Sequence, residues 1–385
     1  MLRKYVKQAH KLLAKNSYRP LNRVELRSQA MLANIDFVRA QHPAFDIMPV
    51  LKSNAYGHGL THVAQILNHT SCRLLVVDGY FEAKRIQDIS NHQILVLGYI
   101  LPENVPMLNA KQCSFVVQDI DGLNAFGLRR GPVKIHLELN TGFNRLGIQP
   151  AELPAYLATL KRYPNLELEG VMTHLTDADN PDDNSLDDRQ TKLFDEGVEQ
   201  IISAGFKPSI LHVAQTAGSP KIRSKYANAI RLGIGTYGIN PLAPADACVG
   251  SLSGLRPVLE LKSTIIKVVE LKAGDTVSYN ATFTAPRSMR IGVLPLGYYE
   301  GVPRELSNVG CVSNGATALP IVGRVCMNHT MIDLAQSGLD VGDEVTVISA
   351  TPAMPNSVSK LQELHQLFEY TTLTGISSSV HRVIV

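Results

Sequence analysis

Lys52 closes an apolar run in "MPVLKSNAYGHGL" (48–60) and is followed at once by Asn54, Tyr56, Gly57, His58 and Gly59. A lysine at that place is either an ordinary strand end or an amine able to form a Schiff base with a carbonyl group. More cationic or proton-exchanging groups follow short apolar runs: Arg145 in "ELNTGFNRLG", His174 in "VMTHLTDAD", His212 in "LHVAQTAGS" and Arg231 in "IRLGIGTYG". Gathered together they would stabilise a core poorly. They are well suited to holding an anionic ligand. The glycines of "GIGTYG" (233–238) let an anion approach backbone N–H groups closely, and Thr216, read as opening a helix, adds a hydroxyl and helix N-terminal N–H groups.

Something must bring these residues together. Eight short apolar runs alternate with helix-period segments: 47–52, 73–78, 94–98, 113–117, 133–139, 168–174, 210–214 and 229–235. Strands alternating with helices imply parallel pairing, and eight such units point to a closed (β/α)₈ barrel of the TIM type. The alternative is an open doubly wound sheet. Its G-x-G-x-x-G signature is missing after the first strand, and "GIGTYG" matches it only after the last. In a barrel, chemistry collects where strands end at the C-terminal edge, so Lys52, Arg145, His174, His212 and Arg231 share one mouth.

Beyond about residue 255 the pattern changes. "LELKSTIIKVVELKAGDTVSYN", "RIGVLPLG", "PIVGRVCMN", "TMIDL", "DEVTVIS" and "HRVIV" read as strands separated by turn residues. The expected domains are a basic N-terminal extension (1–20), the barrel (21–254) and a β-rich C-terminal domain (255–385). The extension carries Arg3, Lys4, Lys7, Lys11 and Lys15 without an apolar core, so it reads as an amphipathic helix and not a secretory signal.

The composition narrows the function. A net charge of +3 and no basic tract argue against nucleic acid as a partner. No stretch is long and apolar enough to span a membrane. Five cysteines, at 72, 113, 248, 311 and 326, form no C-x-x-C pair, which fits a reducing cytoplasm. The acidic run 177–188 lacks the central glycine and terminal glutamate of a calcium loop and reads as a solvated loop, so no metal is expected. His212 and His58 read as structural, and Tyr237 as packing.

A phosphate site after strands seven and eight, facing a lysine across the mouth, points to pyridoxal 5′-phosphate (PLP) held as a Schiff base. "LKSNAYGHG" resembles the PLP-lysine motif of the alanine racemase family. The likeness continues in order through "NTGFNRLG", "GVMTHL", "HVAQTAG", "RLGIGTYG", "VSYNATF", "LPLGYYEG", "VGRVCMN" and "GDEVTVI", over residues from about 20 to 350.

The resemblance implies a homodimeric two-base racemase acting on a small amino acid, with alanine as the default and D-alanine supply for the cell wall behind it. Lys52 would carry PLP and act as base on one face. Tyr279 would act on the other face, reaching in from the second subunit. A phenol ionises near pH ~10 in water, so it needs cations nearby. His174 and Arg231 match a relay, with Arg231 facing the pyridine nitrogen and disfavouring its protonation. Tyr56, Thr216, Gly233 and Ile234 match phosphate-binding positions, and Arg145 matches the arginine that bonds the phenolic oxygen of PLP. Tyr298 and Met327 match substrate-contacting positions at the entrance that favour a small side chain.

Three positions depart from the family pattern. Glu138 stands where members often carry a lysine, carbamylated in some, and would supply the anion directly. Asn328 replaces the usual aspartate after Met327, which keeps serine or another small amino acid open as substrate. Ile384 stands where the C-terminal tail usually offers a phosphate-touching tyrosine. The competing functions are a PLP-dependent decarboxylase of the same architecture and a non-catalytic PLP-binding protein.

Overall fold

The computed structural model describes residues 18–335 and 337–385; most of the basic extension assigned to 1–20 lies outside them. The first strand, β1 (Asn22–Leu26), does not run in the barrel, although the barrel span assigned from sequence includes it. It pairs antiparallel with Leu259–Thr264 and parallel with His381–Ile384.

Eight strands then form one parallel sheet: β2 (Asp46–Pro49), β3 (Leu74–Val77), β4 (Gln93–Val96), β5 (Cys113–Val117), β6 (Val133–Glu138), β7 (Leu166–Met172), β8 (Ile210–His212) and β9 (Ala229–Leu232). The order is β2-β9-β8-β7-β6-β5-β4-β3. The ring meets itself at a parallel bridge between Val50 and Val76, where the Leu51 N–H donates to the Val76 carbonyl at 2.6 Å. All residues of β3 and β5 are buried, as expected of strands covered by helices outside and side chains inside. The helices turn apolar stripes to this sheet; Leu60–Leu67 buries Leu60, Val63, Ala64, Ile66 and Leu67.

The C-terminal region is mostly β. Its largest sheet has six strands, in the order Thr317–Pro320, Cys311–Asn314, Glu344–Ile348, Leu259–Thr264, β1 and His381–Ile384. A three-stranded sheet joins Lys267–Leu271, Met289–Leu294 and Thr330–Asp333. Here burial alternates, as in Thr330–Asp333, because one face meets solvent.

"PIVGRVCMN" reads as a strand but becomes one only at its start. Ile321 bridges Ile332, and the chain then leaves the ladder. The carbonyls of Cys326 and Met327 instead accept the amides of Tyr298 and Tyr299, both at 3.0 Å. That pairing ties the loop of Met327 to the loop of Tyr298.

Candidate active site

The segment after β2 makes an unusual turn. Ser53, Asn54, Ala55 and Tyr56 all have left-handed φ, between 50° and 57°, and Gly57 comes next at 80°. Each non-glycine residue there costs roughly 1–2 kcal/mol. Hydrogen bonds hold the strained backbone in place. Asn54 Oδ1 accepts the Leu60 N–H at 3.0 Å, and His58 Nδ1–H donates to the Tyr56 carbonyl at 3.0 Å. The Arg382 guanidinium donates to the Gly57 carbonyl at 2.8 Å. Strain of this kind concentrates at functional sites.

Gly57 cannot be replaced cheaply. A Cβ there would lie 1.9 Å from the Leu373 carbonyl oxygen. Gly57→Ala is expected to destabilise the protein by at least about 2 kcal/mol. Urea unfolding at neutral pH checks this, and an unshifted midpoint would contradict it.

The turn leaves Lys52 partly buried near the mouth and lays Tyr56 across the end of β9. A Cβ on Gly233 would sit 3.0 Å from the Tyr56 hydroxyl and 3.8 Å from Thr216 Oγ1. Two hydroxyls thus converge over a position without a side chain. Ile234–Tyr237 forms a 3₁₀ turn there, and the Gly235 N–H donates to Thr216 Oγ1 at 3.1 Å. Thr216 itself does not open a helix. It lies in a turn, and Gly218 and Pro220 limit the next element to the short 3₁₀ segment Ser219–Lys221. Burial, with the Asp78 charge, pushes the Tyr56 phenol up to about 12, so it stays protonated and can donate to an anion.

Arg231 is buried in β9, and both of its terminal nitrogens are engaged. Nη2 donates to the Thr173 and Val213 carbonyls at 2.7 and 2.9 Å and to His174 Nδ1 at 3.1 Å. Nη1 donates to His212 Nδ1 at 2.8 Å and to the His212 carbonyl at 2.9 Å. Burial draws Arg231 down to about 10, which leaves it charged at neutral pH. Burial, then the charges of Arg231, Arg145 and Lys52, lower His174 to about 3. Its imidazole is therefore neutral.

Arg145 is exposed, with its guanidinium 4.3 Å from the centre of the Phe143 ring, and that ring stands roughly perpendicular to His174 with centres 5.3 Å apart. Glu138 is buried behind this group; burial raises its carboxyl, against the charges of Arg231 and Arg145. Lys52, Tyr56, Arg145, His174, Thr216, Arg231, Gly233 and Ile234 therefore all lie at the mouth.

Tyr279, Tyr298 and Met327 lie elsewhere, on loops of the β-rich region, and are 69%, 44% and 55% exposed. Tyr279 sits in a strained turn with Ser278 at φ 68° and Asn280 at φ 61°. Ser278 Oγ donates to the Arg324 carbonyl at 2.7 Å, which ties this turn to the Met327 loop. Asn328 Nδ2 donates to Glu300 Oε1 at 2.7 Å; an aspartate there would face a like charge.

Sequence reasoning missed Phe143, Tyr370 and Arg382. Tyr370 lies in the helix Glu369–Thr374, its ring 6.0 Å from that of Tyr56. Ile384 is paired with Leu26 at the edge of the six-stranded sheet and is 42% exposed. Tyr237 packs against His58 at 4.3 Å, and its hydroxyl donates to the Val50 carbonyl at 2.8 Å. The carboxylates of 177–188 largely serve their own loop: Asp183 accepts from Ser185, and Asp187 Oδ1 from the Asp177 N–H at 3.2 Å.

The buried imidazoles make folding pH-dependent. Burial lowers His58 from 6.5 to about 4 and also lowers His136 and His212. A base depressed in this way takes up protons more readily when unfolded. The stability these imidazoles contribute is therefore complete above about pH 6.5, and the His58 share, roughly 3 kcal/mol, drains as pH falls toward about 4. Urea midpoints between pH 7 and 4 are expected to fall steeply; a flat profile would contradict this.

A barrel mouth bearing a lysine and joined to a β-rich domain is the architecture shared by the racemase and decarboxylase readings. The family model described as "Alanine racemase, N-terminal domain" matches residues 26–241, and "Alanine racemase, C-terminal domain" matches 258–384. The chain belongs to the alanine racemase family. It is 32% identical to the alanine racemase of Symbiobacterium thermophilum over 364 residues, covering 93% of this chain and 95% of that one. It is 30% identical to that of Staphylococcus saprophyticus over 370 residues, 94% of each. The alanine racemase of Bacillus anthracis, solved with bound L-Ala-P, superposes with a TM-score of 0.85 at 28% identity over 96% of both chains. These matches do not favour the decarboxylase or the non-catalytic binding module.

Proposed function

We propose that the protein interconverts L- and D-alanine using PLP. The observation that carries this reading is the convergence of Lys52, the Arg231–His174 pair and the hydroxyl cradle over Gly233 at one mouth. Lys52 would hold the cofactor. Tyr56 and Thr216 hydroxyls, with the Gly233 and Ile234 backbone, would hold its phosphate. Arg231 would face the ring nitrogen and Arg145 the phenolic oxygen. PLP, when bound, acts as an electron sink that acidifies the α-hydrogen of an attached amino acid.

The remaining work falls to side chains. Lys52 would take or return the α-proton on one face. Tyr279 of the partner subunit would do so on the other, since the exposed cluster of Tyr279, Tyr298 and Met327 is what a second copy of the chain would bring to the mouth. His174, neutral and accepting from Arg231 at Nδ1, carries its proton on Nε2, the nitrogen left to serve that phenol. Tyr298 and Met327 would limit the pocket to a small side chain. The five cysteines are unpaired, which supports action in the reducing cytoplasm. Among the described residues no helix is long and apolar enough to cross a membrane.

Purified protein given PLP and L-alanine is expected to yield D-alanine by chiral chromatography. Carbon dioxide release in place of D-alanine would sink the proposal.

A further inference from the structure

A line of buried polar groups runs through the barrel away from the mouth. His212 Nε2 lies 2.9 Å from His136 Nδ1, and His136 Nε2 lies 3.3 Å from Glu169 Oε2. His136 and His212 are fully buried, and Glu169 is 2% exposed. Ser114 Oγ donates to the same Oε2. The other oxygen, Oε1, accepts from Lys134 Nζ at 2.8 Å and Arg73 Nη2 at 3.3 Å. Lys134 and Arg73 are partly exposed at the opposite end of the barrel from Lys52. Space for the line is reserved: a Cβ on Gly170 would lie 2.3 Å from the His136 ring.

The donors and acceptors have one consistent direction. A guanidinium only donates, so His212 Nδ1 must accept from Arg231. The neutral His212 ring then carries its proton on Nε2 and donates to His136 Nδ1. His136 in turn carries its proton on Nε2 and donates to the carboxylate. Glu169 ends the line with an acceptor that cannot reverse, because both of its oxygens already face donors.

We propose that Glu169 and His136 are positioning residues for Arg231. The carboxylate at the barrel floor fixes the tautomers of two imidazoles and so keeps an acceptor in place for the guanidinium. This rests on the reading of Arg231 as the group facing the cofactor ring.

Glu169→Gln tests the direction of the line. The amide oxygen would take the place facing Lys134 and Arg73, which leaves the NH₂ group facing His136 Nε2. His136 must then accept, and its proton moves to Nδ1. His212 responds in the same way, and its Nδ1–H meets the Arg231 guanidinium, donor against donor.

The readout is the ¹⁵N spectrum of histidine-labelled holoenzyme, with the two rings assigned by single His→Gln replacements. The wild type is expected to show Nε2–H at both His136 and His212, and E169Q to show Nδ1–H at both. E169Q is also expected to lose about tenfold in kcat with KM for alanine within twofold, and to shift the absorption band of bound PLP. A wild-type Nδ1–H tautomer at either ring overturns the proposal. So does a fall in kcat with tautomers unchanged, which would mark Glu169 as merely structural. If E169Q does not fold, the wild-type tautomers alone decide. If the wild type bound no PLP, the racemase reading would fail, while the same spectrum of the unloaded protein would still read the line.

Discussion

Lys52→Ala is expected to lower racemisation by about 10⁴-fold or more and to abolish retention of PLP through gel filtration, while leaving the protein folded. The proposed role of Lys52 is double. It anchors the cofactor covalently, and its amine moves the proton on one face. Alanine removes both at once. The backbone around it has other supports. The Ala55 N–H reaches the Leu51 carbonyl at 2.8 Å, Asn54 caps Leu60, and Arg382 holds Gly57. None of these uses the Lys52 side chain, so urea unfolding is expected to stay close to that of the wild type without PLP. A variant that kept more than about a hundredth of the activity would assign the chemistry to another amine.

The second large effect is expected at Tyr279. Removing one hydroxyl as Tyr279→Phe should cost about 10²–10⁴-fold, the usual range for a general acid–base group. The phenylalanine keeps the packing of an already exposed ring, so stability is expected to change little. The stronger form of the test mixes this variant with Lys52→Ala. Each alone is expected to keep no more than about a hundredth of the activity. If each site draws Lys52 from one chain and Tyr279 from the other, a mixed dimer has one intact site and one with both defects. Random exchange then restores about a quarter of wild-type activity. No restoration, with subunit exchange demonstrated, would place Tyr279 in its own chain's site or outside catalysis.

Much of the fold was legible because the barrel repeats. Short buried runs such as Leu74–Val77 and Cys113–Val117 carry their own signal, and parallel pairing is implied by the helices between them. Non-local pairing was harder to read. Nothing in "NRVEL" announces that β1 will lie between Leu259–Thr264 and His381–Ile384, since the partners are supplied by the far end of the chain. The loop of Met327 was misread because valine and isoleucine at 321, 322 and 325 imitate a strand, while the backbone carbonyls are claimed by Tyr298 and Tyr299.

The mouth was legible wherever a residue follows a barrel strand, because the strand fixes its place. Tyr370 and Arg382 were not, since their proximity to Tyr56 and Gly57 comes from docking of the C-terminal segment. The buried line from Arg231 to Glu169 was invisible for a similar reason. His136 and Glu169 look like single polar residues in apolar strands until the barrel closes and aligns their hydrogen bonds.

Two-base racemisation at the barrel mouth is tested most directly by α-hydrogen exchange in deuterated water. L-Alanine, added PLP and purified protein are incubated, the enantiomers are separated, and deuterium at the α-carbon of each is counted. D-Alanine carrying solvent deuterium at that carbon is the result expected of two bases on opposite faces. PLP bound to the protein with neither exchange nor D-alanine would contradict it.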